Sequence, residues 1–180
     1  MDGIRSLLQE SFRWQGDRYD DGGLADVTGW WRSPTVLGAL AGALSDLVDA
    51  AEATVVLAPP SRGTLLGSLV AAHLGVGLVE LRKDPCPAAD SDAWRIRTSP
   101  PDYRDRNLVL GFRRELIRSR DRVLFVDDWI ETGGQALTGK ALVDEAGATW
   151  LGAAVVVDGL ETPAHRRLLG LRALLHVRDL

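Results

Sequence analysis

Short unbroken apolar runs alternate along this chain with stretches whose apolar residues recur at every third or fourth position, a pattern that predicts strand and helix in turn. Residues 3–13 place Ile4, Leu7, Leu8 and Phe12 on one side of a helix. The polar, turn-rich segment 15–23 is a loop. Ser33-Pro34 opens a further helix with proline near its first position, and Leu37, Leu40, Leu44, Leu47 and Val48 form its buried face. A strand over 54–58 leaves through Pro59-Pro60-Ser61-Arg62-Gly63, and 65–74 resumes helical spacing before Gly75. The next strand, 76–81, runs into Arg82-Lys83 and a proline-containing loop at 84–92. Within 95–110 the polar centre RTSPPDYRDRN reads as a mobile loop flanked by short strands. Val123–Val126 is long enough for a buried parallel strand. Residues 135–146 form a helix stopped by Gly147, and 151–157 and 174–177 are the last apolar stretches. Repeated exchange of strand and helix predicts an α/β fold with a mainly parallel sheet flanked by helices. All of residues 1–180 are read as one domain, without repeat, linker or low-complexity tract.

Composition narrows the function classes. The chain is 46% hydrophobic and 26% charged with a formal net charge of -4, so no basic surplus points to a nucleic-acid partner. Cys86 is the only cysteine, which rules out an internal disulfide and argues against a cysteine metal site. His165 and His176 have no zinc-ligand spacing and read as surface or packing residues. The opening MDGIRSLLQESFR is not patterned as a secretory leader, and no run of apolar residues is long enough for a membrane span. The expected compartment is the cytoplasm.

The most informative stretch is VLFVDDWIETGGQA, 123–136. Asp127 and Asp128 follow the apolar run, at the edge where open α/β sheets present ligand chemistry. Gly133 and Gly134 permit a tight turn with several exposed amides ahead of a helix N-terminus. Together these make an anion cradle with carboxylates beside it, suited to hydroxyls or a metal.

These residues carry a family resemblance. VLFVDDWIETGGQA resembles the phosphoribosyl-pyrophosphate motif of type I phosphoribosyltransferases, nearest to the adenine phosphoribosyltransferase branch. APPSRGTLLGSLVAAHLGVGLVELRK, 58–83, is similar to that branch's loop, helix and strand, and Asp26-Val27-Thr28 with Ser33-Pro34 to its N-terminal pattern. The resemblance covers roughly residues 22–160. It implies a parallel sheet with a small hood to which residues 1–33 contribute. It also implies magnesium-dependent displacement of pyrophosphate from C1 of the donor ribose by a nitrogenous base, giving a nucleoside 5'-monophosphate in purine salvage, and a homodimer. No protein ligand set for the metal is implied. Thr132, Gly133, Gly134, Gln135 and Ala136 would wrap the 5'-phosphate, with Glu131 also among the substrate-binding residues, while Asp127 and Asp128 would hold the ribose hydroxyls and favour cationic character on the ring. Ser61, Arg62 and Gly63, with Arg82 and Lys83, would meet the pyrophosphate. Residues 99–107 fall where the family has its catalytic lid; Asp102 would orient or deprotonate the base, with Tyr103 beside it.

The pattern also departs from the family. Gln135 replaces the motif's last threonine, Pro60 replaces a glutamate, and Leu24-Ala25 stand where the branch has Phe-Arg near the base. Asp158 belongs either to the base pocket or to a turn. Trp129, Trp30 and Trp31 are either core or dimer-interface anchors or stacking surfaces for a planar acceptor. The basic residues of 113–122 form a mixed-charge solvated face or reach an adjacent subunit's site. Adenine-like transfer is the expected activity; the alternatives are a phosphoribosyl-pyrophosphate-binding regulator without turnover, and transfer to a non-purine acceptor.

Overall fold

The computed structural model describes residues 2–16, 23–85, 93–101 and 106–180. Helix α1 (Asp2–Glu10) leads into strands β1 (Arg13–Gln15) and β2 (Leu24–Asp26), which pair antiparallel. Two helices follow, α2 (Thr28–Arg32) and α3 (Pro34–Ser45). The Ser33 side chain caps α3 by accepting from the Val36 amide at 3.3 Å, and Pro34 fills a first-turn position whose amide would have no helical acceptor. Then come β3 (Val55–Ala58), α4 (Arg62–Leu74), β4 (Gly77–Glu80), β5 (Arg82–Lys83), β6 (Trp94–Thr98), β7 (Val109–Arg113) and β8 (Arg122–Ile130). The chain closes with α5 (Gly134–Glu145), β9 (Thr149–Asp158), α6 (Pro163–Leu169) and β10 (Leu171–His176).

Five strands form a parallel sheet in the order β10-β9-β8-β3-β4. Strand residues send alternate side chains to opposite faces. Val56, Leu124, Val126, Ala154 and Val156 pack in one core with residues of α1, α3 and α4. Val55, Leu57, Val123, Phe125, Ala153 and Val155 pack in the other with α5. Burial on both faces explains why these strands read as continuous apolar runs.

The expectation of a mainly parallel sheet flanked by helices holds, and the structure corrects several details. Helix α1 ends at Glu10, and Phe12 joins the core beyond its end. Helix α3 ends at Ser45, leaving Leu47 and Val48 in the following turn. Helix α4 begins at Arg62, because Ser61 takes a positive φ of 71° and reverses the chain, so Arg62 and Gly63 lie in its first turn and not in a loop. Arg82 and Lys83 leave the parallel sheet for a separate antiparallel one, ordered β5-β7-β6, whose apolar side (Leu110, Phe112) covers the second core. The short strands expected around 95–110 are β6 and β7 of that sheet. Strand β10 starts three residues earlier than the apolar stretch at 174–177 suggested.

Candidate active site

The acidic pair lies inside β8 and not beyond its end. Asp127 pairs with Val155 of β9, but the ladder to β3 stops at Phe125, so on that side the pair faces the exit of a strand that has already ended. Both carboxylates are buried. Asp127 Oδ1 accepts from the Asp128 amide at 2.8 Å. Gly63 comes so close that a Cβ there would stand 2.8 Å from Asp127 Oδ1 and 2.7 Å from the Pro59 ring. Glycine is therefore required to bring the first turn of α4 onto the pair.

Arg62 leans over the same spot. Its Nε is 3.0 Å from Asp128 Oδ2, yet off the direction of a hydrogen bond, so this buried oxygen has an ion-pair contact and no donor. Burial, and then the neighbouring Asp128 charge, push the Asp127 carboxyl well above the usual carboxylate range. Burial also raises Asp128, against the pull of Arg62. The two carboxyls act as one titrating unit.

Four residues beyond Ile130 the cradle opens. Gly133 caps α5 in the left-handed conformation (φ 79°), and the first helical hydrogen bond runs from Leu137 N to Gly133 O at 2.9 Å. The amides of Gly134, Gln135 and Ala136 precede that bond and have no helical acceptor. Thr132 Oγ1 reaches the Gly134 amide at only 3.4 Å. The first turn holds no acidic side chain to neutralise the positive helix end. Glu131 and Thr132 are exposed at the rim, and the Gln135 side-chain oxygen is buried without a hydrogen-bond partner. Two further segments border the cradle, one where the family resemblance puts its lid and one that escaped the sequence reading. The Pro100 carbonyl oxygen would stand 3.2 Å from a Cβ at Gly134, so the segment after β6 borders the cradle. Leu160 would stand 3.1 Å from a Cβ at Gly133. Both contacts join residues far apart in sequence, and no local pattern announces the second.

The remaining residues fall into four groups. Arg82 stacks over the Trp94 ring, 5.6 Å from its centroid, and lies 4.0 Å from Glu80, which in turn touches Thr64 in the first turn of α4 at 3.4 Å. Lys83 is exposed beside it on β5. On the N-terminal hairpin, Leu24 and Ala25 pair with Gln15 and Trp14, and Trp14 meets Trp129 edge-on at 6.2 Å while Phe12 stacks on Trp129 at 6.3 Å. Trp30 is fully buried with its Nε1 donating to Leu8 O, so it is a core residue, neither an interface anchor nor a stacking surface; half-buried Trp31 packs edge-on against it. Asp158 has both carboxylate oxygens engaged, by Arg166 and by the Leu160 amide. Asp102 and Tyr103 lie outside the described residues. Among the described residues no group of three or more His, Cys, Asp or Glu is arranged to hold a metal ion, and no helix is long and apolar enough to cross a membrane.

A buried acidic pair set between two helix N-termini suits a ligand with an anionic group at one end and hydroxyls in the middle. Comparison with known proteins agrees. The chain is 32% identical over 146 residues to the adenine phosphoribosyltransferase of Frankia casuarinae, covering 79% of this chain and 73% of that protein. It is 32% identical over 160 residues to the adenine phosphoribosyltransferase of Streptomyces coelicolor, covering 87% and 84%. The crystal structure of adenine phosphoribosyltransferase from Rhodothermus marinus superposes with a TM-score of 0.81 at 26% identity, covering 98% of this chain and all of that one. The pattern of the phosphoribosyl transferase domain matches residues 32–169, a span that holds the Arg62 turn, the acidic pair, the cradle and Leu160, and the chain belongs to that family.

Proposed function

We propose that this protein transfers the 5-phosphoribosyl group of phosphoribosyl pyrophosphate to adenine or an adenine-like purine, releasing pyrophosphate. The observation that carries this reading is the buried Asp127-Asp128 pair between the N-termini of α4 and α5. The amides of Gly134, Gln135 and Ala136 receive the 5'-phosphate. Asp127 and Asp128 accept hydrogen bonds from the ribose 2'- and 3'-hydroxyls. As the C1–oxygen bond to pyrophosphate breaks and the acceptor nitrogen bonds to C1, the ring gains cationic character that the buried carboxylates favour. Arg62 and the strained Ser61 turn take the departing pyrophosphate, so the guanidinium exchanges Asp128 for the ligand's oxygens. Among the described residues no carboxylate cluster would hold magnesium by itself; the ion would come with the donor and would supply charge neutralisation at the leaving group. The acceptor meets the aromatic wall of Trp129, Phe12 and Trp14, with Leu24 and Ala25 on the same hairpin. The protein acts as a homodimer.

One observation favours a second reading, a donor-binding regulator without turnover: Gln135 puts a buried acceptor oxygen lacking a donor beside a cradle meant for an anion. One assay separates the two. Pyrophosphate release from phosphoribosyl pyrophosphate and magnesium is followed with adenine, guanine, hypoxanthine, xanthine, uracil and orotate in turn. Release with adenine, with the monophosphate identified, is the expected result. Silence throughout, with donor binding still seen by calorimetry, overturns the enzymatic reading in favour of the regulator.

A further inference from the structure

Beneath the cradle lies an ion-pair clamp that the transfer chemistry does not use. Asp158, the last residue of β9, accepts from the Leu160 amide through Oδ1 at 2.9 Å. Arg166, on α6, donates from Nε to Asp158 Oδ2 at 2.8 Å and from Nη2 to Oδ1 at 3.2 Å. The same Nη2 donates to the Leu160 carbonyl. One carboxylate and one guanidinium thus hold both backbone groups of Leu160. The turn is also stitched to the strand bearing the acidic pair, because Gly159 N donates to Ile130 O at 2.8 Å. Leu160, 2% exposed, is the side chain that walls Gly133, the left-handed cap from which the cradle amides project.

A bidentate pair of this kind is directional as well as attractive, and a lysine ammonium does not reproduce its fork. The chain of contact is short: guanidinium to carboxylate, carboxylate to turn, turn to cap. We propose that Arg166 is a positioning residue for the 5'-phosphate, acting through Asp158 and Leu160 on the orientation of the amides that follow Gly133. The inference rests on the cradle being the phosphate site of the proposed function.

The test measures ribose 5-phosphate and magnesium pyrophosphate separately by calorimetry. Arg166→Met is expected to weaken ribose 5-phosphate about tenfold, or ~1.4 kcal/mol, and to leave pyrophosphate, held by the other helix end, within about twofold. Because the lone substitution leaves Asp158 buried and unpaired, the Asp158→Asn/Arg166→Met double variant is measured alongside it to keep the fold intact. Arg166→Lys should recover little of the loss. Leu160→Ala should show the same selective loss, and the Leu160→Ala/Arg166→Met pair should be no worse than either single variant, as for residues acting in series. Since Arg166 lines a cavity of about 450 Å³ together with His176 and Arg178, added methylguanidine should restore affinity to Arg166→Ala. Unchanged ribose 5-phosphate affinity in the folded variants, equal loss of both ligands, or additive losses with Leu160→Ala would overturn the proposal. Wild-type protein that binds neither ligand overturns the proposed function itself, and the clamp's role with it.

Discussion

Two adjacent carboxyls under one guanidinium give the site a titration of its own. The native pair keeps protons at pH values where the unfolded chain has already lost them, since burial raises both carboxyls and Asp128 further raises Asp127. More protons bound in the native state means stability falls as pH rises. The contribution is fully present below the ordinary carboxylate range, near pH ~4, and is lost as pH climbs through the raised native values. Asp127→Asn removes that loss, so its urea midpoint should exceed that of the wild type by a margin that grows with pH over this window. A margin that is flat or shrinks would contradict the assignment. Under the proposed transfer the same residues would carry the transition-state charge: Asp127→Asn and Asp128→Asn should each lower kcat about 10²-fold or more, with donor affinity changed far less. Equal turnover in the double variant would remove these carboxylates from the mechanism.

At the scale of elements, the two turns that open α4 and α5 store opposite kinds of backbone demand. Ser61 holds φ 71° with a side chain attached, whereas Gly133 holds φ 79° without one. Ser61→Gly should therefore stabilise the fold by about 1 kcal/mol, seen as a higher denaturation midpoint. Gly133→Ala should cost about 1–2 kcal/mol and weaken ribose 5-phosphate, since its Cβ would press on Leu160. The glycine turn is legible in the residues alone, but the Ser61 conformation is not, and helical spacing therefore starts α4 three residues late. Strands β3, β8 and β9 were legible because both of their faces are buried, and so were the acidic pair and the cradle, which are contiguous. The antiparallel sheet was not: its strands mix arginines with apolar residues, and their pairing is set by tertiary contact. For Asp158 the sequence leaves base pocket and turn open, and its commitment to Arg166 depends on α6 returning its side chain to the end of β9.

The whole molecule brings segments at 59–63, 99–101, 127–136 and 158–160 to one neighbourhood, and only the packed sheet makes them neighbours. Light scattering should give a mass near twice 19.5 kDa; a species at the single-chain mass that still turns over would exclude any need for a partner's residues. The second sheet leaves Ile96 and Val109 exposed, as the turn after it leaves Leu116, and polar substitutions there are the variants to weigh against the wild type in the same experiment. The aromatic contact between the N-terminal hairpin and β8 has a further consequence. Trp129 adjoins Asp128 in the chain, and its indole stands 6.2 Å from that of Trp14, on the hairpin opposite. Two indoles at that separation share their electronic transitions, so the protein carries a built-in optical gauge. A ligand that draws the hairpin toward or away from β8 changes the near-ultraviolet dichroism without any label, and Trp14→Phe silences that signal while leaving the acidic pair in place.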